Sequence, residues 1–197
     1  MGSGNPGTMN VTRELGIAAG VATFVGDALK GVIPMLICYF IYRDYYFVGT
    51  VVSVADFMRY FTAVCVVTGH IFPLSTHYKG GKGIASTLGI FWCGLSLENP
   101  WWILGGFGVA ASIISFISLT HWGSLGSLFG VSGCSVIQLA IFFNRYVNVV
   151  GFTLNAYLVC LFMFIFALDI LTWGAHHQNV KRLFAGEEHR TRLKKKH

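Results

Sequence analysis

Long apolar stretches dominate this 197-residue chain and make a lipid bilayer the environment in which it can fold. Hydrophobic residues make up 54% of it and charged residues 11%, against roughly 25% charged in a soluble domain. A bilayer's hydrocarbon core is about 30 Å thick, which an apolar helix of about 20 residues crosses. On that measure the sequence predicts about six spans: Leu15–Tyr42, Val54–Phe72, Gly83–Leu97, Trp101–His121, Leu125–Phe143 and Val147–Thr172. The third is short and reads as tilted, re-entrant or partly buried. Pro34 marks a kink and Pro73 a stop, while Asn99-Pro100 and Asn144-Arg145 read as tight connections between helices. The expectation is an all-α polytopic membrane helix bundle, residues 1–197 forming one integral membrane domain with a basic tail at 173–197.

Three polar cassettes interrupt the apolar pattern: Gly2 to Gly16 (GSGNPGTMNVTRELG), His77 to Thr87 (HYKGGKGIAST) and His176 to Glu188 (HHQNVKRLFAGEE). With the basic tail in the cytoplasm, an even number of spans puts all three cassettes on that side. Arg13, Lys79, Lys82, Lys181, Arg182, Arg190, Arg192 and Lys194 to Lys196 then lie inside, against Arg43, Arg59 and Arg145 on the other face. The +6 net charge, concentrated in the tail, suits an anionic lipid surface. No basic patch interleaved with aromatics occurs elsewhere, so nucleic acid is not an expected partner. No apolar segment precedes the first cassette, and a cleavable signal peptide is not expected.

Each cassette carries groups that hold phosphate. Gly2, Gly4 and Gly7 match G-x-G-x-x-G, but the dinucleotide reading requires a strand ahead of them, and only Met1 stands there. A flexible loop remains, in which backbone N–H groups, Ser3, Asn5 and Asn10 surround an anion and Arg13 adds a guanidinium. In the second cassette Gly80, Gly81 and Gly83 flank Lys82 at the start of a span, offering N–H donors and a point charge at a positive helix end. The third places His176, Asn179, Arg182 and Leu183 on one broad helical face. Capping of the first helix, a membrane-flanking lysine pair and a surface helix are the purely structural alternatives.

Within the spans, Asp27 with Lys30 and Asp56 with Arg59 have the spacing of structural ion pairs. His70 and Asp169 sit near the cytoplasmic ends of spans, where they could support a site from behind. The five cysteines each lie in an apolar run with no CxxC pair, so neither metal nor disulfide is implied.

In their order and topology these cassettes resemble those of the bacterial acyl-phosphate:glycerol-3-phosphate acyltransferases. The resemblance runs over essentially the whole chain. It includes Asp27-x-x-Lys30-Gly31-x-x-Pro34, Gly69-His70-x-x-Pro73, Ser124-Leu125-Gly126-Ser127 and His176-x-x-Asn179-x-x-Arg182-Leu183-x-x-Gly186-x-Glu188. It implies transfer of a fatty acyl group from acyl phosphate to the 1-hydroxyl of sn-glycerol 3-phosphate, giving lysophosphatidic acid and phosphate for phospholipid synthesis. Ser3, Arg13, Lys82, His176 and Asn179 would be catalytic. Asn5, Asn10, Gly80, Gly81, Gly83 and Ser124 would bind substrate, with His70 and Glu188 in support. The resemblance implies no metal or cofactor. The soluble acyl-phosphate synthase is the implied partner, and a bacterial inner membrane, with site and C-terminus cytoplasmic, the implied location.

Two departures stand out. The family has a further apolar segment before the first cassette, seven spans in all; its loss would expose helix faces and loosen the first loop. Met9 also stands where the family has a threonine hydroxyl. An anion channel or transporter and a non-catalytic membrane scaffold are the rival readings. A transporter would spread ionisable groups through the membrane depth, whereas here the phosphate-type groups gather at one face.

Overall fold

A computed structural model describes residues 7–149 and 155–188. Among these, five helices are long and apolar enough to cross a membrane. They are α2 (Ile17–Tyr42), α3 (Val54–Ile71), α5 (Trp102–Thr120), α6 (Gly123–Phe143) and α7 (Ala156–Ala175). A shorter apolar helix, α4 (Ile84–Glu98), lies between α3 and α5, and short helices α1 (Thr8–Leu15) and α8 (His177–Phe184) stand at the two ends. The described residues contain no named strand beyond one isolated bridge, Tyr46 with Ser53. The all-α polytopic bundle is as the sequence predicts.

At 15 residues, α4 is about 22 Å long and too short to cross a 30 Å core upright. Its position explains how it is tolerated. It packs against α2, α3, α5, α6 and α7 and buries Ser86, Thr87, Ile90 and Phe91. Of the alternatives left open for this stretch, burial is the one found.

Two boundaries differ from expectation. The first cassette is no loop from Thr8 onward: Thr8–Leu15 is helical and stops at Gly16, whose φ of 92° breaks the chain before α2. Nor is Asn144-Arg145 a break. The helix continues through a π-helical turn, Asn144–Val149, and α7 begins only at Ala156, capped by the Asn155 side chain accepting from Leu158 N–H at 2.9 Å.

Two side chains of the π turn are anchored in an ionic cluster. Arg145 bridges Asp56 (3.0 Å) and Glu98, and the Tyr146 hydroxyl donates to Asp56 Oδ2 at 2.5 Å. Arg59, wholly buried, pairs with Asp56 at 2.8 Å and with Glu98. Its guanidinium lies 5.3 Å from the centroids of the Tyr60 and Phe142 rings. The expected Asp56–Arg59 pair is thus half of a cluster that draws in α4 and the end of α6.

Candidate active site

At the other end of α3 the same helices open into a cavity of about 330 Å³. α1 supplies Asn10 and Arg13; the segment between α3 and α4 supplies Lys82 and Gly83. Ser124 comes from the first turn of α6, His176 from the junction of α7 and α8, and Asn179 and Arg182 from α8, with Glu188 just beyond. Three stretches far apart in sequence therefore share one pocket, as the cassette reading expects.

Hydrogen bonds tie the wall together. Lys82 Nζ donates to Asn179 Oδ1 at 2.5 Å. Glu188 Oε1 accepts from Ser124 Oγ (2.5 Å) and Asn179 Nδ2 (2.9 Å), while Oε2 accepts from Arg182 Nε (3.2 Å). A single carboxylate thus fastens α6 to α8 and orients the asparagine that meets the lysine. Burial pushes the Glu188 carboxyl up, but its hydrogen bonds from Ser124, Asn179 and Arg182 outweigh this and hold it below the usual range. Glu188 is ionised and saturated with donors.

The cations are less satisfied. Burial lowers the Lys82 ammonium from its ordinary value, Glu188 opposes this, and Arg182 and Arg13 add to the lowering. Among the described residues Lys82 has no carboxylate within ion-pair distance. Among the described residues Arg13 forms no ion pair, its Nε–H donating to the Met9 carbonyl at 3.2 Å. Such a surplus of positive charge favours an anion.

His176 is buried, and burial brings its imidazole down to about 4, the Thr172 carbonyl opposing and Lys82 assisting. The ring is neutral at ordinary pH. With Nδ1 donating to Thr172 O at 2.8 Å, Nε2 is left as an acceptor. His176 caps α8 from outside rather than sharing a regular helical face with Asn179.

Gly80 and Gly81 do not line the pocket as expected. Gly81 N–H donates to the His70 carbonyl (3.1 Å), so it is not offered to a ligand. A Cβ on Gly81 would lie 2.1 Å from His70 Nε2, and one on Gly80 2.1 Å from His70 O. The paired glycines form a seat for His70, which does border the pocket. Asp169 is absent from the wall: it turns to α6, where Ser135 Oγ hydrogen-bonds it. Ser3 and Asn5, and the tail beyond Glu188, lie outside the described residues.

Sequence reasoning missed two parts of the cavity. Asp27, assigned to an ion pair, does meet Lys30 at 2.7 Å but also lines the pocket. The rest is apolar: Phe24 of α2, Leu88 of α4, and Ile113 and Ile117 of α5. An aspartate in a span was a signal for the first; no pattern within one helix marks the second, because three helices build it.

Fold and pocket define a class, a polytopic helical membrane protein whose cationic site continues into an apolar cleft. Comparison with known proteins makes this specific: the model of the family described as glycerol-3-phosphate acyltransferase matches residues 1–186. The chain is 36% identical to a glycerol-3-phosphate acyltransferase of Clostridioides difficile (strain 630) over 194 residues, 98% of this chain and 81% of that protein. It is 34% identical to one of Syntrophotalea carbinolica (strain DSM 2380 / NBRC 103641 / GraBd1), covering 96% and 81%. Among solved structures it resembles the integral membrane glycerol 3-phosphate acyltransferase PlsY (YgiH). The glycerol 3-phosphate form has a TM-score of 0.72 at 26% identity, covering 97% of this chain and 80% of that one. A lysophosphatidic acid form gives 0.71 at 27% identity, covering 96% and 81%. The chain belongs to the glycerol-3-phosphate acyltransferase family.

Proposed function

We propose that this chain transfers a fatty acyl group from acyl phosphate to the 1-hydroxyl of glycerol 3-phosphate, releasing lysophosphatidic acid and inorganic phosphate. The observation that carries this reading is the composition of one cavity. Its wall combines Arg13, Lys82 and Arg182 with Phe24, Leu88, Ile113 and Ile117. A phosphorylated, water-borne substrate and an acyl chain in lipid both need such a place. The relatives' activity and the glycerol 3-phosphate and lysophosphatidic acid forms of PlsY support the same acceptor and product.

In this reading Lys82 and Arg13, with Asn10 and Gly83, hold phosphate oxygens, and Ser3 and Asn5 complete the first cassette's contribution. Gly80 and Gly81 act through His70. Glu188 fixes Ser124 and Asn179, and Asn179 orients the Lys82 ammonium. Acyl phosphate is a mixed anhydride, so attack by the glycerol hydroxyl needs no acyl-enzyme. The hydroxyl oxygen bonds to the acyl carbon, the bond from that carbon to the bridging oxygen breaks with its electron pair leaving on the phosphate, and a substrate phosphate oxygen takes the hydroxyl proton. Positioning and charge stabilisation supply the acceleration. The pocket faces the cytoplasm of a bacterial inner membrane, where a soluble acyl-phosphate synthase can deliver the donor.

Purified protein in lipid nanodiscs, given glycerol 3-phosphate with palmitoyl phosphate or palmitoyl-CoA, tests this. Lysophosphatidic acid and phosphate should form with palmitoyl phosphate alone. Turnover with the thioester instead, or with neither donor, overturns the reading.

A further inference from the structure

Asp27 is the carboxylate of the pocket that the assignment above leaves idle. Its backbone is fixed by α4, since Ser86 Oγ donates to the Asp27 carbonyl at 2.8 Å. Lys30 holds Oδ1 at 2.7 Å, and the His70 Nδ1 atom lies 3.8 Å from the same oxygen. No described residue hydrogen-bonds Oδ2. The side chain is 10% exposed and borders the cavity. Glu188 is different in kind, because three neighbours already occupy its oxygens.

A carboxylate beside an anion site repels phosphate, so the space near Asp27 does not suit a phosphate group. It suits a hydrogen-bond donor that carries no negative charge, and an ionised oxygen binds such a donor strongly. We propose that Asp27, resting on His70, recognises the hydroxyls of the phosphorylated polyol, while Arg13, Lys82 and Arg182 take its phosphate. Asp27 thereby sets polyol specificity and points the substrate's hydroxyl end away from the cations. The inference rests on the glycerol 3-phosphate reading of this pocket, and its test needs no turnover.

The test compares apparent affinities, from thermal stabilisation of the purified protein, for glycerol 3-phosphate, n-propyl phosphate and inorganic phosphate. Wild-type protein should prefer glycerol 3-phosphate to propyl phosphate at least about tenfold. Asp27→Asn should bring that ratio close to one and leave inorganic phosphate unchanged within about threefold. Lys30→Gln, which keeps the carboxylate and removes its ion pair, should keep the ratio. If Lys30→Gln loses it as fully as Asp27→Asn, the aspartate's role is structural pairing and the proposal falls. It falls equally if Asp27→Asn retains discrimination, or if wild-type protein has none. Should Asp27→Asn not fold, Asp27→Glu takes its place. The longer carboxylate should shift the ratio at least threefold, and an unchanged ratio overturns the proposal. Failure of acyl transfer in the wild type, by contrast, would count against the donor assignment and leave these affinities standing.

Discussion

At the Asp56 end of α3, Asp56, Arg59, Glu98 and Arg145 close on one another with Tyr146. At the His70 end, 14 residues and about 21 Å away, Arg13 and Lys82 meet no carboxylate at ion-pair distance among the described residues. Both ends gather charge from distant stretches, and both are roofed by α4. The first balances two acids with two bases; the second leaves positive charge over. Buried charge that is neutralised locally holds helices together, whereas charge left in surplus awaits an anion from outside. Finding charged residues in a membrane protein is therefore not enough to find its site; their mutual balance must be read.

The comparison breaks most visibly at Arg59. Arg59→Leu leaves Asp56 and Glu98 short of a partner and should cost about 3–5 kcal/mol of stability, seen as a large fall in thermal unfolding temperature in detergent. A fold indifferent to this change would remove the distinction between the two ends.

A pH series probes the pocket end. The His176 imidazole sits at about 4, below its ordinary 6.5, so the unfolded chain binds the extra proton between these values. Its stabilising contribution is whole above about pH 6.5 and is lost as pH falls toward 4, on the order of 3 kcal/mol. Thermal unfolding of wild type and His176→Gln between pH 4 and 7.5 should diverge over this window. Parallel curves would mean that the imidazole is not held neutral.

Lys82→Ala sharpens the contrast, since it removes surplus charge rather than paired charge. The glycerol 3-phosphate requirement should rise about ten- to a hundredfold, with unfolding temperature little changed. Steady-state kinetics beside a melting curve separate the two effects, and a variant that melts early with an unchanged KM contradicts the assignment. Smaller again is Gly81→Ala, about 1–2 kcal/mol from crowding of the His70 ring. Alanine keeps its N–H, so a loss here reflects the seat for His70. The effect should vanish in a His70→Ala background, and full persistence there would return Gly81 to a direct role.

How far the sequence carried this picture varies with the kind of signal. Span lengths fixed α2, α3, α5 and most of α6 because one helix's hydropathy is a local property. The family assignment was legible for a related reason, in that several short motifs in fixed order are jointly specific. Asn144-Arg145 misled because a polar pair resembles a turn until its partners are known; Asp56 and Glu98, far back in the chain, let the helix run on. Gly80 and Gly81 misled likewise, for glycine beside lysine suits phosphate and suits close packing equally well. Asp27 was seen only as half of an ion pair because its second oxygen's surroundings depend on α3 and α4.

The shortness of α4 has a consequence for how two incompatible reactants meet. Its ends, Gly83 at the cavity and Glu98 in the ionic cluster, are closer together than the two faces of the hydrocarbon layer. A helix about 22 Å long cannot reach both boundaries of a hydrocarbon layer about 30 Å thick, so at least one of its polar ends falls short of the headgroups. In the proposed reaction that shortfall brings the polar acceptor from the water and the acyl donor from the lipid to a common depth, so that neither reactant crosses the full layer to reach the other.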